Sequence, residues 1–381
     1  MTLLTDKLPS FLLSLLLVTV IAFSVVHLSP GDAAKNFVST DLHDETLLAD
    51  PMQQQKQQEI WRKKLGLNLP LFYFSLESIA DKVADGRSNQ QIKPDNWKYW
   101  VPIVRLHPEN QFHRWLFGDG TFSEGILHGD FGISYSTRQP VSELLKGRIG
   151  WSIGLSLCSL FIAFAISIPL GFRAALHPGS RFDRVLKGFS LMILSLPVFW
   201  LAIVLLLVFA NPDGLNWLPA SGTRPTDFVS SGWLSNFTAT FPYLILPTVC
   251  YTIGTLAFLL RSVRDVAYDE LQTDYVRTAL AKGNDENTTL YTHVLRNMLP
   301  TLLTLFSLAF TAAISGAVLI ESIFAIPGMG LTIEQAVYGK DYPVISAIFL
   351  IASIITLLGF LLTDLVITRL DPRTVKPSAA K

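Results

Sequence analysis

The chain has 381 residues, 50% hydrophobic and only 16% charged, with a mean hydropathy of +0.40. So much apolar mass with so few charges argues against an ordinary soluble domain and for a multi-span membrane protein. The 30 basic and 30 acidic side chains cancel to a formal net charge of zero, which argues against nucleic-acid binding.

An apolar run over 11–28 follows Lys7 and stops at Ser29-Pro30-Gly31-Asp32. Small residues at Ala33 and Ala34 allow a cleaved signal peptide, but the run is longer than a signal core and further spans follow, so 1–29 reads as a short tip and a first membrane helix. A long, mostly polar segment, 30–149, comes next. In it Asp50-Pro51 opens a Gln-rich helix that ends near Leu65-Gly66. Trp97, Trp100 and Trp115 fall among scattered charges in the insert 72–124, which is expected to pack as a small cap.

Five further apolar blocks follow, at 153–170, 189–210, 243–260, 299–320 and 344–367. With the first they predict an all-α integral membrane protein of about six transmembrane helices, since lipid offers the backbone no hydrogen-bond partner. Pro169, Pro197 and Pro247 fall within or at the ends of these blocks and are expected to bend or terminate them. Cys158 and Cys250 both lie in apolar blocks and read as small core residues, not as a disulfide or a metal site. Arg173, Arg181, Arg184 and Lys187 crowd one short loop; Arg261, Arg264, Arg277, Lys282 and Arg296 crowd another, and Arg369, Arg373, Lys376 and Lys381 the tail. Basic loops stay on the cytoplasmic side, so both termini and the loop 262–298 are expected inside and the long segment outside. A permease core at 150–368 and a cytoplasmic tail at 369–381 complete the predicted organisation.

The basic loop 262–298 carries the most information. Asp274 can cap a helix over Tyr275, Arg277 and Ala279 that stops at Gly283, where glycine takes a left-handed turn cheaply. A second helix can start at Asn284 or Asp285 and would place Leu290, Tyr291, Val294, Leu295 and Met298 on one face, with His293, Arg296 and Asn297 among them. Pro300 would then open the next block, where its missing N–H costs least.

Further on stand Glu321-Ser322-Ile323-Phe324, Pro327-Gly328-Met329-Gly330, Asp341-Tyr342-Pro343-Val344 and Leu370-Asp371-Pro372-Arg373; upstream stand Gly129-Asp130-Phe131-Gly132 with Ser134, and Trp217-Leu218-Pro219-Ala220-Ser221-Gly222. Pro327, Gly328 and Gly330 make a tight backbone re-entry, tolerable near lipid only if protein buries it or water lines it. It serves equally as an outer gate or as a structural turn. Glu321, at the outer end of a span, is a pathway candidate because ionisable groups at membrane depth are costly. Asp364 reads as structural, paired with Arg369.

With Ala279 to Gly283 and Leu295 to Pro300, these landmarks resemble the membrane subunits of bacterial ABC importers, and among them the dipeptide, oligopeptide and nickel permeases. The resemblance implies the type I importer permease fold in the bacterial inner membrane, with a long extracytoplasmic loop after the first helix. It also implies that Tyr275, Arg277, Ala279, Gly283, Leu290, His293, Leu295, Arg296, Asn297 and Pro300 belong to a coupling loop that docks an ATPase. Implied partners are a second, different permease, two ATPase subunits and an extracytoplasmic solute-binding protein, with peptide as cargo and nickel chelate, glutathione or an antimicrobial peptide as alternatives. After Gly283 the chain departs from the family's usual apolar residue, carrying Asn284-Asp285-Glu286-Asn287.

Two other classes compete. Gly150-Trp151-Ser152-Ile153-Gly154 matches the G-x-S-x-G elbow of serine hydrolases, but that elbow needs a strand before it and a histidine within reach. A secondary carrier would show two related halves with broken spans, and no repeat is evident. There is no phosphate-binding G-x-x-x-x-G-K-[ST] loop and no zinc-ligand spacing, so no catalytic, cofactor or metal residue is assigned and ATP hydrolysis is expected in another subunit.

Overall fold

The computed structural model describes residues 2–28, 51–64, 66–77, 102–118, 124–225 and 232–370. In chain order the elements are α1 (Thr2–Leu28), α2 (Pro51–Lys64), β1 (Phe74–Glu77), β2 (Ile103–Leu106), α3 (Gln111–Phe117), α4 (Val141–Lys146), α5 (Arg148–Leu176), α6 (Arg181–Leu194), α7 (Val198–Phe209), α8 (Trp233–Leu271), α9 (Asp274–Ala281), α10 (Leu295–Ile323), α11 (Met329–Tyr338) and α12 (Tyr342–Leu370). Among the described residues four segments are long and apolar enough to cross a membrane: Val141–Leu176, Trp233–Leu271, Glu286–Ile314 and Tyr342–Leu370. The α6 and α7 pair makes a fifth as a broken span, and a shorter apolar helix, Leu8–Ser24, lies within α1.

The block 189–210, read from sequence as one span, is bent by 98° between α6 and α7. Pro197 has no N–H to continue the ladder and its own backbone is extended, at φ −62 and ψ 134, and the residue before a proline is pushed out of the helical region. Pro169 and Pro247, by contrast, sit inside the unbroken helices α5 and α8. Pro300 does not open a helix either; it lies in the second turn of α10, which runs on directly from a π-helical turn, Thr289–Val294.

The chain divides into two compact units, one of Met1–Val18, Leu145–Gln335 and Ile348–Lys381, the other of Thr19–Leu144 and Ala336–Ala347. In the first, α5, α7, α8 and α10 converge on Leu155, Ala202, Leu246, Tyr251, Ile320 and Phe324. Cys250 is buried there, whereas Cys158 is exposed on α5 instead of sitting in the core, on the strip of the helix that also carries the exposed Gly154 and Ile162. In the second unit β1 and β2 pair antiparallel, with Phe74 opposite Leu106. Asn110 caps α3 by accepting from the His113 N–H at 2.8 Å. Phe23, with no exposed surface, meets the rings of Phe72 at 5.5 Å, Phe112 at 5.2 Å and Trp115 at 5.3 Å. Of the three tryptophans of the insert Trp115 packs here, while Trp97 and Trp100 lie outside the described residues.

The same unit joins two landmarks that are far apart in sequence. Asp341, 1% exposed, accepts from the Ser134 hydroxyl at 2.5 Å, the Ser136 hydroxyl at 2.7 Å, and the N–H groups of Tyr135 at 3.0 Å and Ser136 at 3.1 Å. A carboxylate that gathers four donors fixes the turn after Gly132. Asp341→Ala should orphan the two backbone donors at about 1–3 kcal/mol each. Limited proteolysis should then cut near Arg138 several times faster than in the parent; an unchanged cleavage rate contradicts this role.

Candidate functional site

The loop between α8 and α10 is a helix, a turn and a second helix. Thr273, not Asp274, occupies the N-cap position of α9; its hydroxyl donates back to the Glu270 carbonyl at 2.7 Å and gives the helix no cap bond. The helix ends after Ala281, and Gly283 takes φ +92, with its N–H donating to the Leu280 carbonyl at 3.0 Å. Asp285 then starts the next turn, Glu286–Thr288, accepting from the Thr288 N–H at 3.2 Å. Those bonds from Thr288 hold its carboxyl below the usual carboxylate range.

The apolar face of the loop turns inward. Val276, Leu290, Val294 and Met298, each at most 1% exposed, pack with Phe172 and Ala175 at the end of α5 and with Val263 and Ala267 on α8. Leu290 therefore supports the loop from within and offers no apolar surface to a partner. Ala279 is buried and Leu295 half-buried, Tyr275 and His293 are half-buried, and Pro300 is partly covered. Tyr275 donates its hydroxyl to Glu270 at 2.7 Å; burial first, then that carboxylate, pushes its pKa up. Arg277, Leu280, Lys282, Gly283, Arg296 and Asn297 face outward. Tyr291, expected on the apolar face, is half exposed, with its ring edge-on to Phe172 at 5.6 Å.

A second constellation gathers around Glu321, in the last turn of α10. That helix closes with the N–H of Ile326 on the Glu321 carbonyl at 2.9 Å and that of Ala325 on Ser322 at 3.3 Å, and Ala325 is in the left-handed region at φ 51. The chain thus reverses through Pro327 and Gly328 into α11. Glu321 has no exposed surface. One carboxylate oxygen accepts the Ser152 hydroxyl at 2.6 Å; the other accepts the N–H groups of Gly330 at 2.6 Å and Leu331 at 3.2 Å, at the N-terminus of α11. Unpaired N–H groups and the helix dipole both favour negative charge there. Gly328 lies flat against the carboxylate, and a Cβ on it would stand 2.3 Å from Oε2. The 217–222 landmark reaches the same turn, where the Gly222 N–H donates to the Phe324 carbonyl at 2.9 Å.

Ser152 is a residue whose role the sequence hid. It resembles a hydrolase nucleophile, yet it lies in the first turns of α5, directly after the helix α4, with no strand before it. Its oxygen accepts from the Met329 N–H at 2.8 Å while its proton goes to Glu321. The hydroxyl is thus a rivet between α5, α10 and α11, and the elbow geometry is not adopted.

A family model and relatives by sequence agree on one class. A family model described as "Binding-protein-dependent transport system inner membrane component" matches residues 167–376. The chain is 31% identical over 362 residues to the oligopeptide transport system permease protein AppB of Bacillus subtilis (strain 168), covering 94% of each. It is 29% identical to the probable peptide ABC transporter permease protein y4tP of Sinorhizobium fredii, covering 96% of this chain and 97% of that protein. The dipeptide transport system permease protein DppB of Alkalihalophilus pseudofirmus is 28% identical, with 93% of each covered. Among solved structures, a chain of the MetNI methionine ABC transporter aligns with 60% of this chain and 97% of its own, at 17% identity and a TM-score of 0.49.

Proposed function

The chain belongs to the family of binding-protein-dependent transport system inner membrane components, as a permease subunit of an ABC importer, and from that premise we propose that it carries peptides and docks an ATPase on the turn at Gly283. The names of its relatives, oligopeptide and dipeptide permeases among them, support the cargo. The observation that carries the docking surface is the division of the loop 274–298: its apolar face is spent on the chain's own helices, while Arg277, Leu280, Lys282 and Gly283 are left facing out. A second permease completes the pathway, two ATPases supply the work, and an extracytoplasmic binding protein delivers cargo.

Mechanically, the loop is a rigid lever. ATP binding closes the two ATPases; the turn moves with the one it touches; and the packed face transmits that motion into α5 and α8, which exchange an inward-open for an outward-open cavity. The turn around Glu321 and Gly328 serves as the outer gate, a rigid plug of backbone held by a buried carboxylate.

Orientation is the direct test. In a variant with Cys158 and Cys250 replaced by alanine, a membrane-impermeant maleimide should label Asn284→Cys in inside-out vesicles and leave it unlabelled in intact cells, with Leu127→Cys behaving the opposite way. Labelling of Asn284→Cys from outside, or purification of the subunit without any attached ATPase, overturns the proposal.

A further inference from the structure

A buried ion pair joins the first turn of α6 to the C-terminal end of α8, ahead of the helix, turn, helix element at 274–298. Asp183, with no exposed surface, and Arg264, 7% exposed, are 81 positions apart, and Arg264 donates Nε to Oδ1 at 3.0 Å and Nη2 to Oδ2 at 3.2 Å. Asp183 also accepts from Lys187 Nζ at 3.1 Å and from the Gly179 N–H at 2.9 Å, and its own N–H is capped by Ser180 Oγ at 3.1 Å. The guanidinium is held on its other side by Asp265 at 3.1 Å and lies 4.7 Å from the centre of the Tyr268 ring. Both carboxylate oxygens and all three guanidinium nitrogens are engaged, which is what a planar, two-pronged contact at low dielectric requires.

The placement gives this pair its meaning. On α8, Val263 and Ala267 face the core under the coupling loop, while Leu260 and Arg264 face α6 at Leu186 and Asp183. The same two turns of α8 therefore touch the loop on one side and the start of α6 on the other. At its far end α6 runs into the break before Pro197, beside a cavity of about 400 Å³ lined by Leu194, Leu196, Val198, Tyr251 and Phe258 among others. An apolar contact such as Leu186 with Leu260 can slide along its neighbour; a two-pronged ion pair anchored by four further bonds cannot without breaking them.

We infer that Asp183 and Arg264 are positioning residues that transmit movement of the coupling loop, through α8, to α6 and so to the broken span. The inference rests on the proposed docking role of the loop. It predicts that breaking the pair uncouples: hydrolysis continues, but the broken span no longer follows.

The test is made on the complete importer in proteoliposomes, with peptide transported per ATP hydrolysed as the readout. Asp183→Asn and Arg264→Gln should each lower that ratio by about 5- to 150-fold, the usual span of coupling between two sites. Arg264→Lys, which keeps charge but loses the fork, should lower it less. The exchanged pair Asp183→Arg with Arg264→Asp should recover part of it. A purely structural pair would reduce the amount of assembled complex and leave the ratio intact; that result, or a ratio unchanged in Arg264→Lys when the other variants do not assemble, overturns the inference. If the parent complex itself fails to couple ATP to peptide uptake, it is the underlying functional reading that falls.

Discussion

Glu321→Ala is expected to yield little intact protein, while Glu321→Gln yields a folded subunit of modestly lower stability. Alanine leaves the Gly330 and Leu331 N–H groups and the Ser152 hydroxyl without an acceptor in a site with no exposure, at about 1–3 kcal/mol for each orphaned donor. Glutamine can keep the arrangement. Its carbonyl oxygen takes the two backbone donors, and its amide donates to the Ser152 oxygen beside the Met329 N–H; what is lost is the acceptor for the Ser152 proton and the charge at the N-terminus of α11, the latter on the order of 1 kcal/mol. Gly328→Ala should fail like Glu321→Ala, since its Cβ would stand 2.3 Å from Oε2 of a carboxylate that three bonds, two of them to that oxygen, prevent from retreating. The two alanine changes should also not add, because removing the carboxylate empties the space the new methyl needs. Thermal midpoints of the four purified variants in detergent decide this. Equal loss in the alanine and glutamine variants, or additive loss in the double variant, contradicts the account.

The spans and the helix, turn, helix loop were legible in the sequence because their signals are local: apolar runs of bilayer length, a glycine after a short amphipathic stretch, a proline at a break. Asp285 as a cap and Gly283 in a left-handed turn follow from single-residue preferences that no neighbour overrides. The errors have equally local causes. Pro300 looks like a helix start until the π-helical turn before it carries the helix through. Leu290 and its neighbours form an amphipathic face, but periodicity does not say whether that face meets the chain's own helices or a partner.

What the sequence did not show is which distant residues pair. Ser134 and Asp341 lie 207 positions apart, Ser152 and Glu321 169 apart, and Asp183 and Arg264 81 apart. Each of the three carboxylates sits where the sequence shows another feature: Asp341 before a helix, Glu321 at a span end, Asp183 among arginines counted only for their charge. Positive residues in short loops at the ends of spans are so expected that a buried, two-pronged arginine among them gives no separate signal.

Gly283→Val should leave the membrane core as stable as before and nevertheless abolish most coupled transport. At φ +92 a β-branched residue is strained by about 1 kcal/mol or more. Among the described residues, however, no atom beyond the glycine's own chain neighbours lies within 4 Å of where a Cβ would be, so the cost in the subunit alone is conformational and confined to the turn. The core beneath, from Phe172 to Met298, is not displaced. Any larger loss must come from what meets the turn from outside, so subunit stability and ATPase attachment should separate. Gly283→Asn, which tolerates left-handed backbone better than valine, should retain more coupling than Gly283→Val while adding similar bulk. The comparison of peptide uptake per ATP for the two variants, beside the amount of ATPase that co-purifies, distinguishes strain from obstruction. If both lose attachment equally, obstruction dominates and the turn is a tight contact surface; if asparagine restores it, the left-handed geometry itself is what the partner requires. Unchanged coupling in Gly283→Val would mean that force enters this subunit somewhere other than the turn.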